Sequence, residues 1–175
     1  MGRFVPEKRV EELIRAFRAL PDDVRLMLAG ELDESGGYLR RLRKEVGGDE
    51  RIIFTGGLYD EDKREALANA AAVVLPSELE GFPIVLLEAM RYGRPVLVSD
   101  IPEHLHVVAN EVNGVTFPMG DTGALTERMQ WVLSHPDDAQ EVGRKAEETA
   151  AQYDWTRIAK ETEDVYREAL DAARS

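Results

Sequence analysis

The chain has 175 residues, with 22 Lys and Arg against 34 Asp and Glu, so its formal net charge at pH 7 is −12. This acidity disfavours nucleic acid as a partner, and the absence of cysteine excludes disulfides and thiolate metal sites and is compatible with a reducing cytosol. With no apolar run near the roughly 18–20 residues of a membrane span and no apolar signal region in MGRFVPEKR, we expect a cytoplasmic protein without a transmembrane segment.

Helices and short apolar runs alternate along the chain. Apolar residues at helical spacing predict a first helix over 7–21, ended by Pro21, and Gly47 is expected to cap the second helix. Buried strands are predicted at 24–31, 51–58, 71–77, 95–100 and 114–118. Further helices are predicted at 38–48, at 60–70, after Pro83, and then from about 121 as a C-terminal group at 121–134, 136–152 and 155–173.

Strands that are apolar throughout and alternate with helices indicate parallel βαβ units. The predicted fold is therefore α/β, a three-layer doubly wound parallel sheet of Rossmann-like type, formed by one domain over residues 1–175. Ligands of such folds bind beyond the carboxyl ends of the strands, which here are Gly30, Gly56–Gly57, residues 76–78 and Ser99–Asp100. Such domains usually begin with a strand, so either residues 2–5 form a short first strand or that strand is missing.

The segment PSELEGFPIVLLEAMRYGRPVLVSD, residues 76–100, contains a helix that is apolar nearly all round and is therefore predicted to be buried. This helix carries Glu88, and a second acid, Glu80, precedes its start. A buried carboxylate needs a partner, which is either an internal cation or a ligand.

The start of the same helix has the features of an anion site. Pro83 is expected at the first helical position, which tolerates proline, so that the unpaired N–H groups of Ile84 and Val85 point outwards. Such groups can bind a phosphate, and Gly81 has no Cβ to keep a ligand away from the backbone. We expect Phe82 to act through its backbone more than through its ring.

Two spacings together resemble a known family. Glu80 and Glu88 bracket seven residues in E-G-F-P-I-V-L-L-E, and Arg3 and Lys8 stand in order in G-R-F-V-P-E-K. With the turns at 29–30 and 52–56, the NGVTF strand and the YDWTRIAKETEDVY helix, these motifs resemble the C-terminal half of a GT-B glycosyltransferase of the retaining family 4 group. The resemblance covers essentially the whole chain.

The resemblance implies a function for each motif. Glu80 would hold the transferred sugar and Glu88 the ribose hydroxyls of the nucleotide, while Arg3 and Lys8 would bind the diphosphate and act in catalysis with Glu80. The donor would be a UDP- or GDP-sugar, bound also by residues 81–85, with no metal or other cofactor required. The product would be a glycoside of an acceptor hydroxyl, formed with retention.

The N-terminal acceptor domain of this family is absent from the sequence. The resemblance therefore implies that an acceptor domain or subunit is supplied in cis or in trans, and that the chain alone binds donor with little or no turnover. The full-length enzyme is expected in the cytoplasm, with a peripheral membrane position as an alternative. Two other interpretations stay open: a natural split enzyme, and a designed, excised or regulatory domain that is not catalytic.

Ordinary structural roles are alternatives for every candidate residue. Glu88 would then pair with Arg91 or Arg94, Glu80 would be a surface acid, and the two N-terminal cations would be solvated. His104 and His106 are interpreted as loop histidines, because no third ligand stands at a metal-site spacing.

The sequence also departs from the family pattern. Arg9 stands where glycine often follows the lysine, G-F-P replaces G-F-G, and SDIPEH at 99–104 replaces the usual GG-x-PE loop. The last change leaves the identity of the sugar open.

Overall fold

The computed structural model describes residues 2–31 and 37–172. Its strands are β1 (Gly2–Arg3), β2 (Leu26–Glu31), β3 (Ile52–Gly56), β4 (Val73–Leu75), β5 (Val96–Ser99) and β6 (Val115–Phe117). Its helices are α1 (Val10–Phe17), α2 (Tyr38–Val46), α3 (Asp60–Asn69), α4 (Ile84–Arg91), α5 (Pro102–Leu105), α6 (Thr122–Ser134), α7 (Pro136–Ala150) and α8 (Trp155–Ala172), and a 3-10 helix spans Pro6–Lys8. Within these ranges no helix has both the length and the apolar character needed to cross a bilayer.

The six strands form two parallel groups, in the orders β1-β2-β3 and β4-β5-β6. Residues 2–3 form strand β1 and pair with the last two residues of β2, in the register Gly2 opposite Gly30 and Arg3 opposite Glu31. The alternating order of parallel strands and helices confirms the predicted α/β, Rossmann-like class.

Helices cover both faces of the sheet, as strand β5 shows. Successive side chains of a strand point to opposite faces. Leu97 lies in an apolar cluster with residues of α1, α2 and α6, whereas Val96 and Val98 lie in a second cluster with residues of α4 and α7. Helix α1 packs against α2 and α6, and α4 packs against α7. The β4-β5-β6 sheet is thus the middle layer of three.

The first helix begins later than predicted. Residues Pro6–Lys8 form a 3-10 turn, and Arg9 then takes a left-handed conformation with φ of 49°, so α1 starts only at Val10. The four-residue helix α5 was not predicted, since one turn is too short to show a helical period.

Helix α4 is only partly buried, contrary to the prediction. Leu86, Ala89 and Met90 are buried, but Ile84 is 47% exposed. The apolar sequence of α4 therefore covers one helical face against the core and leaves apolar side chains beside the solvent at its start.

Candidate functional site

A small cleft of about 80 Å³ lies between the β1-β2 pair and the end of β4. Its polar lining includes Arg3, Lys8, Ser77 and Glu80, and the remainder is mostly apolar residues of α1, β2 and β4. Arg3 reaches the cleft because β1 lies close against β2. A Cβ atom on Gly30 would overlap the carbonyl oxygen of Gly2, so only glycine permits this approach. The fold thus brings three predicted site residues to one cleft.

Glu80 has an organised set of partners at this cleft. The Nζ of Lys8 donates to Oε2 of Glu80 at 2.6 Å, and the hydroxyl of Ser77 donates to Oε1 at 2.7 Å. The Glu80 side chain is 10% exposed and that of Lys8 is 28% exposed. A carboxylate has about four acceptor positions, so Glu80 retains capacity for further hydroxyl donors.

The 3-10 turn is tied to the segment that carries Glu80. The backbone N–H of Glu78 donates to the carbonyl of Glu7 at 2.9 Å, and Nε of Arg9 lies 2.8 Å from a carboxylate oxygen of Glu78. These contacts place Lys8 next to Glu80. Arg9 has a left-handed φ of 49°, a conformation that glycine would take without strain.

The start of α4 differs in detail from the prediction. Pro83 is the N-cap rather than the first helical residue, and the N–H of Ile84 donates to the carbonyl of Phe82 at 2.9 Å, so it is not unpaired. In the ranges the structure covers, the N–H of Val85 has no acceptor. Around Gly81 a Cβ would meet open space, and the half-exposed ring of Phe82 lies 6.2 Å from that of Tyr153. One N–H of the predicted pair is thus available to an anion.

Glu88 is not buried, so that prediction is wrong, and of the two expected kinds of partner it has an internal cation. Its side chain is 35% exposed, and its two carboxylate oxygens lie 2.6 and 2.5 Å from Nζ of Lys63 on α3. The alternative prediction, a structural salt bridge of Glu88 to Arg91 or Arg94, is therefore wrong about the partner. Glu88 also does not line the cleft that holds Glu80.

Three buried polar residues behind Glu80 were not predicted from the sequence. Ser77, Ser99 and His104 are 1%, 0% and 0% exposed. The Nδ1 of His104 lies 3.0 Å from the carbonyl oxygen of Ser99, and the hydroxyl of Ser99 donates to the carbonyl of Ser77. The only sequence signal was a serine at or just after the end of each of two neighbouring strands.

His104 is a buried helical residue, not a loop histidine. Burial lowers the pKa of His104, although the carbonyl of Ser99 and the carboxylates of Glu80 and Glu103 oppose this shift. Its imidazole is therefore neutral at neutral pH. Among the described residues, no three His, Asp or Glu side chains are grouped so as to hold a metal ion.

Residues 1–149 match the family model described as Glycosyl transferases group 1. The chain is 31% identical to an uncharacterized glycosyltransferase of Methanocaldococcus jannaschii, over 98% of this chain and 44% of that protein. It is similar to the structure of sucrose-phosphate synthase from Thermosynechococcus elongatus, with a TM-score of 0.89 and 30% identity over 98% of this chain and 45% of the other. Anabaena HepE in complex with UDP-glucose has the same fold, with a TM-score of 0.88 and 23% identity over 95% of this chain and 48% of the other. The chain thus spans less than half the length of these proteins.

Proposed function

The chain belongs to the Glycosyl transferases group 1 family, with the fold of a GT-B C-terminal domain, and we propose from this premise that it binds the nucleoside-diphosphate sugar donor of a retaining, family 4 type glycosyltransferase. The observation that carries the proposal is the Lys8–Glu80 pair at a cleft beyond β4, where Arg3 also lies. A cation and a carboxylate side by side match the diphosphate and the hydroxyl-rich sugar of such a donor. The UDP-glucose complex of HepE, which shares the fold, supports this ligand class.

Lys8 and Arg3 are proposed to hold the diphosphate. In an acidic protein an anion needs local positive charge, and these two side chains supply it at the cleft. The N–H of Val85 at the start of α4 adds one backbone donor, and the open space at Gly81 allows a ligand to approach the chain.

Different cleft residues would act on the two parts of the donor: Lys8 and Arg3 on the diphosphate leaving group, and Glu80 on the sugar. As the bond from sugar to diphosphate breaks, negative charge grows on the diphosphate, and Lys8 and Arg3 would stabilise it without a metal ion or other cofactor. Glu80, held by Ser77, would accept hydroxyl groups of the sugar and keep it in a reactive orientation. The remaining part of the enzyme, in cis or in trans, would supply the acceptor, so turnover by this chain alone is expected to be negligible.

Glu88 keeps a proposed role at the ribose, now with Lys63 as its partner. Its burial no longer supports that role, which depends on the position of Glu88 in the E-x7-E motif. Two ribose hydroxyls could still donate to a carboxylate whose charge Lys63 balances. Glu88→Gln should then weaken nucleotide binding. If Glu88→Gln and Lys63→Met lower thermal stability alike and leave affinity unchanged, the pair is only structural.

Titration calorimetry with UDP-glucose and GDP-glucose tests the proposal and identifies the base. The wild-type chain should bind one of them, and Lys8→Met should weaken that binding roughly tenfold or more, because a charge-assisted hydrogen bond is worth about 1.5–3 kcal/mol. Lys145→Met is the matched control, since Lys145 lies on α7 and pairs with Glu141 at 3.8 Å. Absence of binding at millimolar donor, or equal affinity of wild type and Lys8→Met, would contradict the proposal.

A further inference from the structure

His104 has one nitrogen that is bound and one that is not. Its Nδ1 lies 3.0 Å from the carbonyl oxygen of Ser99 and 3.2 Å from the Ser99 hydroxyl oxygen. A carbonyl can only accept, so the proton of the neutral ring is on Nδ1. In the part of the chain that is described, Nε2 is buried without a hydrogen-bond partner. The ring therefore acts on the structure through Nδ1.

Hydrogen bonds connect this ring to Glu80 in three steps. The Nδ1–H of His104 donates to the carbonyl oxygen of Ser99. The hydroxyl of Ser99 donates to the carbonyl of Ser77, and the hydroxyl of Ser77 donates to Oε1 of Glu80, so the connection passes through the backbones of Ser99 and Ser77. The first three residues are almost completely buried, whereas Glu80 is at the cleft. Buried polar groups that are hydrogen-bonded have few alternative conformations, so these bonds fix the backbone of Ser77, from which its hydroxyl reaches Glu80.

From this series we infer that His104 is a positioning residue, which orients the Glu80 carboxylate toward the donor sugar through Ser99 and Ser77. The inference rests on the proposed function, because it assigns a task to His104 only if Glu80 contacts the sugar. The preference of the protein for a nucleotide that carries a sugar over the free nucleotide would then depend on the buried side chain of His104. The lowered pKa of His104, caused mainly by burial, agrees with a neutral donor at this place.

Two amide variants of His104 distinguish the role of Nδ1 from that of Nε2. Asn places an amide donor close to the position of Nδ1, and Gln places one close to the position of Nε2. His104→Asn is therefore expected to keep the wild-type ratio of UDP-glucose to UDP affinity, measured by titration calorimetry. His104→Gln should weaken UDP-glucose binding about tenfold, the typical effect of losing one well-placed hydrogen bond, and leave UDP binding unchanged.

Ser77→Ala tests the same link without altering the histidine, in case His104→Gln does not fold. It removes the bond to Glu80 and should reproduce the selective loss of UDP-glucose affinity. Ser134→Ala is its control, since Ser134 is exposed and its hydroxyl donates to a carbonyl within its own helix. A role in packing alone would lower the melting temperature and leave the affinity ratio unchanged.

The outcomes are distinguishable. If wild type binds both ligands and neither His104→Gln nor Ser77→Ala changes the ratio, the positioning role is overturned while the proposed function stands. The positioning role is also overturned if each of His104→Asn and His104→Gln weakens the binding of UDP and of UDP-glucose by the same factor. If wild type binds neither UDP nor UDP-glucose nor the GDP analogues, the proposed function fails, and the positioning role fails with it.

Discussion

Replacing Glu80 with Gln should change the binding of UDP and of UDP-glucose in opposite directions. In the free protein Lys8 is held by Glu80 at 2.6 Å, so a diphosphate must compete with that carboxylate for the lysine. A partly exposed pair of this kind is worth about 1 kcal/mol, and its loss should tighten UDP binding about fivefold. In UDP-glucose, the sugar hydroxyls would also exchange a charged carboxylate acceptor for a neutral amide. This exchange costs about 1.5 kcal/mol, which is roughly tenfold in affinity. The net result is UDP-glucose binding that is about twofold weaker than in wild type.

Titration calorimetry of both ligands at about 0.15 M salt measures this change. Glu141→Gln is the control, because Glu141 pairs with Arg144 at 2.8 Å on α7, and it should leave both affinities unchanged. Weaker binding of UDP by Glu80→Gln would show that Glu80 does not compete for Lys8. An unchanged ratio of the two affinities would show that Glu80 does not contact the sugar.

Two further predictions concern stability. Gly143→Ala should lower the free energy of unfolding in urea by about 1–2 kcal/mol, because the new Cβ would overlap the carbonyl oxygen of Gly93 and this outweighs the helical gain of about 1 kcal/mol. The control Gly123→Ala should lower it less, because its Cβ would meet only a side-chain oxygen of Asp121, at 3.3 Å; equal effects would refute the packing argument. The lowered pKa of His104 means that the unfolded chain binds a proton which the fold excludes, so stability should fall as pH drops below about 6.5, by at most about 1.4 kcal/mol per pH unit. The free energy of unfolding, measured with urea from pH 7.5 to 5.5, should depend less steeply on pH in His104→Asn than in wild type. An identical pH dependence would show that His104 does not cause the loss of stability.

Apart from β1 and α5, the order of helices and strands was predictable because the elements have local signatures. Residues Val96–Val98 of β5 are an apolar run, and Gly47 ends α2 in the left-handed conformation expected of a helix-capping glycine, with φ of 60°. The start of α1 was not predictable, since Arg9 takes a left-handed conformation that its residue type disfavours. Contacts with Glu78 from a distant part of the chain hold it there.

That Arg3, Lys8 and Glu80 lie at one cleft was predictable only through the spacing of their motifs, and their binding role stays a prediction. Lys8 and Glu80 are 72 positions apart, and no local pattern shows that they meet. The partner of Glu88 is not predictable for the same reason, since Lys63 lies on another helix, 25 positions away in the sequence. His104 was missed because a helix of four residues shows no period and a buried side chain is not marked by its residue type.

Strand β1 has a consequence for ligand affinity. Its approach to β2 depends on Gly30, because a Cβ atom there would overlap the carbonyl oxygen of Gly2. Arg3 is the next residue of this strand pair, so an anion bound at Arg3, as proposed above, would lose affinity in Gly30→Ala. Affinity for the anion would thus depend on a glycine that has no side chain to contact it.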